Sequence, residues 1–212
     1  MRRAVAPLAL AALLGGCAPS SSGDGYDFLV LALAWSPSYC ESEGENGDRR
    51  QCAEGRELGF VVHGLWPQFE DGWPEFCDTD EPRRVPNALV HDYLDLIPSA
   101  GLMGHQWRKH GSCAGMTQQD YFALVRAARE RVAVPASYRD PKADADVAPD
   151  TVERAFIAAN PGMRSDGIAV SCDDRRIADV RICLTKGLEF RSCAAIDARA
   201  CRLPRAAMPA PD

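Results

Sequence analysis

Eight cysteines between Cys40 and Cys201 constrain this chain more than any other feature of its sequence. The full chain holds 9 cysteines, and setting aside Cys17 near the start leaves an even set. An even set behind an export signal points to four disulfides formed in an oxidising compartment, clamping a chain that is rich in loops. No two of these cysteines stand in CxxC spacing, so a structural zinc site has little support. Sequence alone leaves about 105 ways of pairing eight cysteines.

The export signal is read from the first residues. Met1-Arg2-Arg3 is a short basic start, and residues 4–14 are nearly all apolar. That run is too short to span a bilayer and suits a signal-peptide core. It ends in Leu14-Gly15-Gly16-Cys17, which looks like the lipobox of a bacterial lipoprotein signal. Cleavage before Cys17 would leave that cysteine as a lipid anchor, and an ordinary signal peptide cut slightly later is the alternative. The expected organisation is a signal peptide over 1–16, a flexible tether over 17–25, one folded domain over 26–203 and a loose, proline-containing tail over 204–212. The expected location is periplasmic or secreted, at the outer membrane if the lipid is attached.

Within the domain, residues 26–35 are strand-like and residues 60–62 (Phe60, Val61, Val62) form a short β-branched run. Residues 41–57 are charged and read as an exposed loop, and residues 69–86, rich in Gly, Pro and Asp, as a longer one. Apolar stripes at helical spacing mark 87–97 and 120–134, the second opened by a capping-box-like Thr117-Gln118-Gln119-Asp120, and 150–159 reads as a further helix. Residues 167–172, 177–184 and 188–193 then read as strands of a meander. Helices in the middle with strands at both ends indicate an α+β domain, not alternating βαβ units.

Two stretches carry chemistry. Residues 104–113, GHQWRKHGSC, hold two of the 4 histidines. On a helix His105, Gln106, Lys109 and His110 fall within about 140° of one face, with Trp107 free to anchor the back in the core. Such a face is costly to dehydrate and suits an anionic substrate, although a charged cluster alone also fits a solvated helix surface. The second stretch is residues 59–68, GFVVHGLWPQ. His63 follows the apolar run, Gly64 allows close approach of another group, and Trp66-Pro67 offers a rigid aromatic platform.

Together these stretches resemble the ribonuclease T2 family of secreted endoribonucleases, which carries one segment like FVVHGLWPQ and another of pattern H-E-x-x-K-H-G-[ST]-C. Residues 31–40, LALAWSPSYC, resemble the family's first strand and the cysteine after it. The resemblance spans about residues 26–201 and departs from the family at Gln106, where glutamate is usual. It implies a central antiparallel sheet packed with helices and stabilised by disulfides, paired Cys40–Cys52, Cys77–Cys113, Cys172–Cys201 and Cys183–Cys193. It further implies that His110 is the general base and His63 the general acid, and that His105 and Lys109 contact the phosphate. Trp66 would stack on a base, Gln68 would touch that base's edge, and Gln106 would take the place of the glutamate in the catalytic cluster. The resemblance implies no metal and no cofactor, and single-stranded RNA as substrate; a monomer is expected, bound to membrane through Cys17 if that residue is lipidated.

The chemistry is self-consistent. RNA carries its own nucleophile, the ribose 2′-OH, so cleavage needs a base for that proton and an acid for the departing 5′-oxygen. Two histidines suit both roles, since an imidazole titrates near pH 6.5. The net charge of −6, or −8 once Arg2 and Arg3 are removed, opposes tight, extended binding of nucleic acid. A local positive site is enough for an enzyme that cuts one linkage and releases. A metal-dependent phosphodiesterase using His63, His105 and His110 is disfavoured, because the two helical imidazoles lie about 140° apart with no acid among them. A non-catalytic RNA-binding lipoprotein of the same fold has only Gln106 in its favour.

Overall fold

The computed structural model describes residues 25–211; the expected signal peptide, Cys17 and residues 18–24 of the tether lie outside them. The elements in order are β1 (Phe28–Trp35), α1 (Ser36–Glu43), α2 (Arg49–Cys52), β2 (Phe60–Gln68), α3 (Asn87–Tyr93), α4 (Ala100–Lys109), α5 (Gln118–Arg131), β3 (Ala145–Val147), α6 (Pro149–Ala159), β4 (Ile168–Cys172), β5 (Ile177–Leu184), α7 (Ala194–Asp197) and β6 (Ala206–Met208). A four-stranded antiparallel sheet in the order β2-β1-β5-β4 forms the centre, and β3 pairs with β6 beside it. This is the α+β architecture expected from the sequence.

The period-two alternation of β1 gives the sheet two distinct faces. Leu29, Leu31, Leu33 and Trp35 point to one side, where they pack with Val62 and Leu65 of β2 against Met103, Trp107, Phe122, Val125 and Phe156 from the helices. Phe28 and Val30 point to the other and join Ala169, Cys183, Cys193 and Ile196 in a smaller cluster, with Trp66 half-buried against it. Ala32 and Ala34 continue that second face with only methyl groups.

Local chemistry sets the helix ends. Ser99 caps α4 by accepting from the Leu102 amide, and the Thr117 hydroxyl caps α5 by accepting from the Asp120 amide at 3.1 Å. Thr117 also donates to the Asp120 carboxylate at 2.8 Å, so the two side chains are paired at the start of α5, with only the Thr117 half of a capping box made. The disulfides are Cys40–Cys52, Cys77–Cys113, Cys172–Cys201 and Cys183–Cys193, which use all eight cysteines of the described residues.

Three expectations are corrected. Residues 188–193 form no strand: a turn at 185–189 puts Leu188 at a positive φ of 63°, and only an isolated bridge joins Phe190 to Leu184. Residues 41–57 are not all loop, since α1 runs on to Glu43 and Asp48 caps α2 through the Arg50 amide. The tail expected over 204–212 is not loose over its described residues, 204–211. Ala206 and Met208 are buried in β6, and the carbonyl of Pro209 accepts the Trp35 indole N–H at 2.8 Å. The prolines bracket this edge strand without interrupting it, which edge positions tolerate.

Candidate active site

The sheet aims His63 by an irregularity. In the pairing of β1 with β2, Ala32 faces Gly64 and Leu33 faces Val62, so His63 has no partner on β1. Such a bulge twists a strand locally and redirects the extra side chain. His63 therefore sits inside β2, not just after a strand as its sequence suggests, and its side chain is 37% exposed.

Opposite it stands α4. Met103, Gln106, Trp107 and His110 share its buried stripe at helical spacing, while His105 and Lys109 lie at its rim. Trp107 is the expected core anchor, and its indole donates to the Pro82 carbonyl at 2.9 Å. His110 is the C-cap of α4, with its amide bonded to the Gln106 carbonyl and a 3-10 turn over Gly111–Cys113 behind it. Glycine is needed at 111, because a Cβ would press into the rings of Trp107 and Tyr121. Cys77–Cys113 ties the long loop to this turn, and the Phe76 amide donates to the Lys109 carbonyl at 2.9 Å.

Trp66 links the two histidines. Its ring lies 5.3 Å from His63, edge-on, and 5.4 Å from His110 at a shallow 31° tilt. Its indole N–H donates to Gln106 Oε1 at 2.8 Å. The side chains of His63, Trp66, Gln68, His105, Gln106, Lys109 and His110 line one open cleft of about 250 Å³. All seven residues singled out in the two sequence stretches thus converge, whereas the fourth histidine, His91, sits on α3, exposed and apart. Gln68 is buried and its amide donates to the Pro67 carbonyl at 2.8 Å.

The same cleft contains residues that sequence reading missed. Arg181 on β5 lies 5.6 Å over the Trp66 ring, and Arg199 lies 5.0 Å over the exposed Trp73. Arg181 donates to Asp179 at 2.9 Å, and Asp179 Oδ2 lies 3.8 Å from His63 Nδ1. The available signal was a charged pair two residues apart in an otherwise apolar strand, which puts both side chains on one face.

Electrostatics separate the titratable groups. Burial pushes His110 down to about 3, reinforced by the neighbouring Lys109, His105 and His63. His105 is lowered first by burial and then by Lys109, Arg108 and His63. Asp179, although buried, is held below the usual carboxylate range because the contacts of His63, Arg181 and Ser171 outweigh desolvation. Lys109 faces Glu75 across 3.7 Å at the rim. A chain with net charge −6 thus keeps a local cluster of Lys109, Arg181 and Arg199 in this cleft. Among the described residues, no group of three or more His, Cys, Asp or Glu side chains is placed to hold a metal ion.

Comparison with known proteins places the chain in a family. The sequence profile of the Ribonuclease T2 family matches residues 26–193. A ribonuclease of Aeromonas hydrophila is 40% identical over 106 residues, covering 50% of this chain and 46% of the relative. A probable ribonuclease of Haemophilus influenzae is 41% identical over 109 residues, covering 46% of this chain and 40% of the relative. The chain thus spans about half the length of these curated relatives. Among solved structures, an RNase-related protein from Calystegia sepium superposes with a TM-score of 0.68 at 20% identity, covering 90% of this chain and 100% of that one. RNase NT, solved in complex with 5′-AMP, superposes with a TM-score of 0.59 at 22% identity, covering 80% and 91%. At such identities the likeness is one of fold, but the profile covers most of the chain and includes both histidine stretches. On these grounds the chain belongs to the ribonuclease T2 family.

Proposed function

We propose that the protein is an endoribonuclease that cleaves single-stranded RNA by transesterification through a 2′,3′-cyclic phosphate and ends in 3′-phosphates, without a metal. The observation that carries this reading is the placement of His63 and His110 on either side of Trp66 in one cleft lined by cations. His110 takes the proton from the ribose 2′-OH, whose oxygen attacks phosphorus. His63 protonates the 5′-oxygen as its bond to phosphorus breaks. In the second step the roles reverse: water attacks the cyclic phosphate and its proton passes to His63, while His110 returns one to the 2′-oxygen.

His105 and Lys109 stabilise the charge that builds on the non-bridging oxygens. A bound phosphate, an anion beside His110, favours the protonated ring against the burial and the neighbouring charges that depress it, and so moves it back toward a working range. Trp66 offers a stacking face and Gln68 a hydrogen-bonding edge for a base; stacking on an aromatic ring is worth about 1–3 kcal/mol. Gln106 acts through Trp66, whose indole it fixes. No cofactor enters these steps.

Export and lipid attachment at Cys17 belong to the same reading. They are supported by the lipobox-like sequence and by the pairing of all eight other cysteines with one another. Periplasmic or secreted enzyme, monomeric and held at a membrane only by that lipid, is the state proposed.

The test is a turnover assay on polymeric RNA in excess chelator, with products separated by mass. Cyclic phosphates appearing first and 3′-phosphates later are expected. Cleavage of DNA at a comparable rate would rule the mechanism out, because DNA has no 2′-OH.

A further inference from the structure

We propose that Asp179 is a positioning residue for His63, holding the imidazole so that Nδ1 faces the carboxylate and Nε2 faces the substrate's leaving oxygen. The proposal rests on the reading of His63 as the proton donor. Its observation is a carboxylate that packing alone does not explain. Asp179 lies inside β5 with its side chain only 8% exposed, a costly place for a charge unless it is paired. It is fixed from behind: the Ser171 hydroxyl donates to Oδ1 at 2.6 Å and Arg181 Nε donates to the same oxygen at 2.9 Å. Oδ2 is left turned toward His63, 3.8 Å from Nδ1, with Arg181 Nη2 at 3.4 Å.

The sheet is built to allow this contact. β2 and β5 are separated by β1, so their backbones lie two strand spacings, about 10 Å, apart. Only facing side chains can bridge that gap, and only if the strand between them presents nothing large. β1 presents Ala34 opposite Asp179, and Ala32 opposite both Arg181 and Gly64. The bulge at His63 then turns the imidazole into the space above these methyl groups. An isolated ion pair would need neither the bulge nor the paired alanines.

The charged surroundings give the contact a purpose. Facing the cleft with His63 are Arg181 from β5, His105, Lys109 and His110 from α4 and its end, and Arg199 just beyond α7. The cations among them, Lys109, Arg181 and Arg199, oppose an imidazolium. Asp179 opposes them, and Glu75 lies against Lys109 at the rim. Holding Nδ1–H toward a carboxylate favours the protonated ring needed to protonate a leaving group. After that transfer the proton remains on Nδ1, so the lone pair on Nε2 is free to accept a proton from water in the second step. Orientation of an acid–base imidazole by a buried carboxylate follows this general logic.

Nuclear magnetic resonance of 15N-histidine-labelled protein tests the pair directly, with His63 assigned by its absence in His63→Ala. In the wild type the neutral form of His63 is expected to carry its proton on Nδ1; a neutral form protonated on Nε2 overturns the proposal. This measurement needs no substitution of Asp179 and stands even if Asp179→Asn fails to fold. In folded Asp179→Asn the titration midpoint should fall by at least about half a pH unit, and an unchanged midpoint overturns it. On RNA, Asp179→Asn should lower kcat about ten- to a hundredfold, with KM within about twofold and the alkaline limb of the profile moved to lower pH. In a His63→Ala background the same substitution should change kcat no further; an equal loss there would mark a merely structural role. If the wild type cleaves no RNA, the ribonuclease reading fails separately, while the resonance data still decide on the pair.

Discussion

Gln106 Oε1 and the Trp66 indole N–H, bonded at 2.8 Å, meet directly over Gly64, where any Cβ would collide with both atoms. One bond therefore joins the buried side of α4 to β2 across a residue that must be glycine. It also places a single aromatic ring between His63 and His110. The amide in place of the family's usual carboxylate supplies the acceptor that this geometry needs.

Gly64→Ala should break this junction. Overpacking of a filled interior costs about 1–3 kcal/mol, so the melting temperature falls by several degrees. Activity should fall further than stability accounts for, by at least about tenfold in kcat/KM, because Trp66 and both histidines shift together. Turnover measured on folded protein well below its melting point is the check. Unchanged kcat/KM would show that the Trp66–Gln106 bond has no part in organising the site.

Gln106→Glu keeps an acceptor for Trp66 and adds a negative charge beside His110. A neighbouring carboxylate favours the imidazolium, raising His110 from about 3 toward its ordinary value. Activity requires neutral His110, so the acid limb of the pH profile moves up. The alkaline limb moves up as well, since the acid on His63 is retained to higher pH. Gln106→Ala instead releases Trp66 and lowers kcat without this displacement. Three superimposable profiles would remove Gln106 from the chemistry.

The two histidine stretches were legible because each concentrates unusual residue types in a short span, and the main strands because their apolar runs are long. Asp179 was not legible. Its importance depends on a bulge at His63 and on two alanines in a third strand, a relation among residues more than a hundred positions apart. The strand expected at 188–193 does not form because the turn before it, with its bonds between Thr185 and Glu189, redirects the chain. The ordered tail was missed for a related reason: three prolines describe local stiffness, whereas Met208 and the Trp35–Pro209 bond express tertiary packing.

Acid should weaken the fold through His110. Its native value of about 3 lies below the 6.5 of a free imidazole, so between these values the unfolded chain binds a proton that the native state refuses. This contribution is complete above about pH 6.5 and is lost progressively as pH falls toward about 3. At pH 4.5 the loss from this residue is on the order of 2 kcal/mol. Urea unfolding at pH 7 and pH 4.5 checks it, with His110→Gln as reference. The wild type should lose more stability between the two conditions than the variant; equal losses would mean that His110 titrates normally.

Deleting residues 206–212 should destabilise the protein strongly, although none of the deleted residues lines the cleft. β6 buries Met208 and Ala206 against the main core and pairs with β3. Burying a methionine is worth about 1.5–3 kcal/mol. Loss of the Pro209 carbonyl leaves the buried indole N–H of Trp35 without its acceptor, at a further cost of about 1–3 kcal/mol. A total of about 2.5–6 kcal/mol is a large share of a domain's stability. The damage should also reach the site, because Trp35 packs edge-on against Phe60 at 4.8 Å, and Phe60 begins the strand that carries His63 three residues later. Met208→Ala, which keeps the backbone, should cost about 2–5 kcal/mol and leave turnover of the folded protein near that of the wild type. Thermal melts of the three proteins decide the matter: a truncated chain melting within about 1 °C of the full one would return residues 206–212 to the status of a dispensable tail.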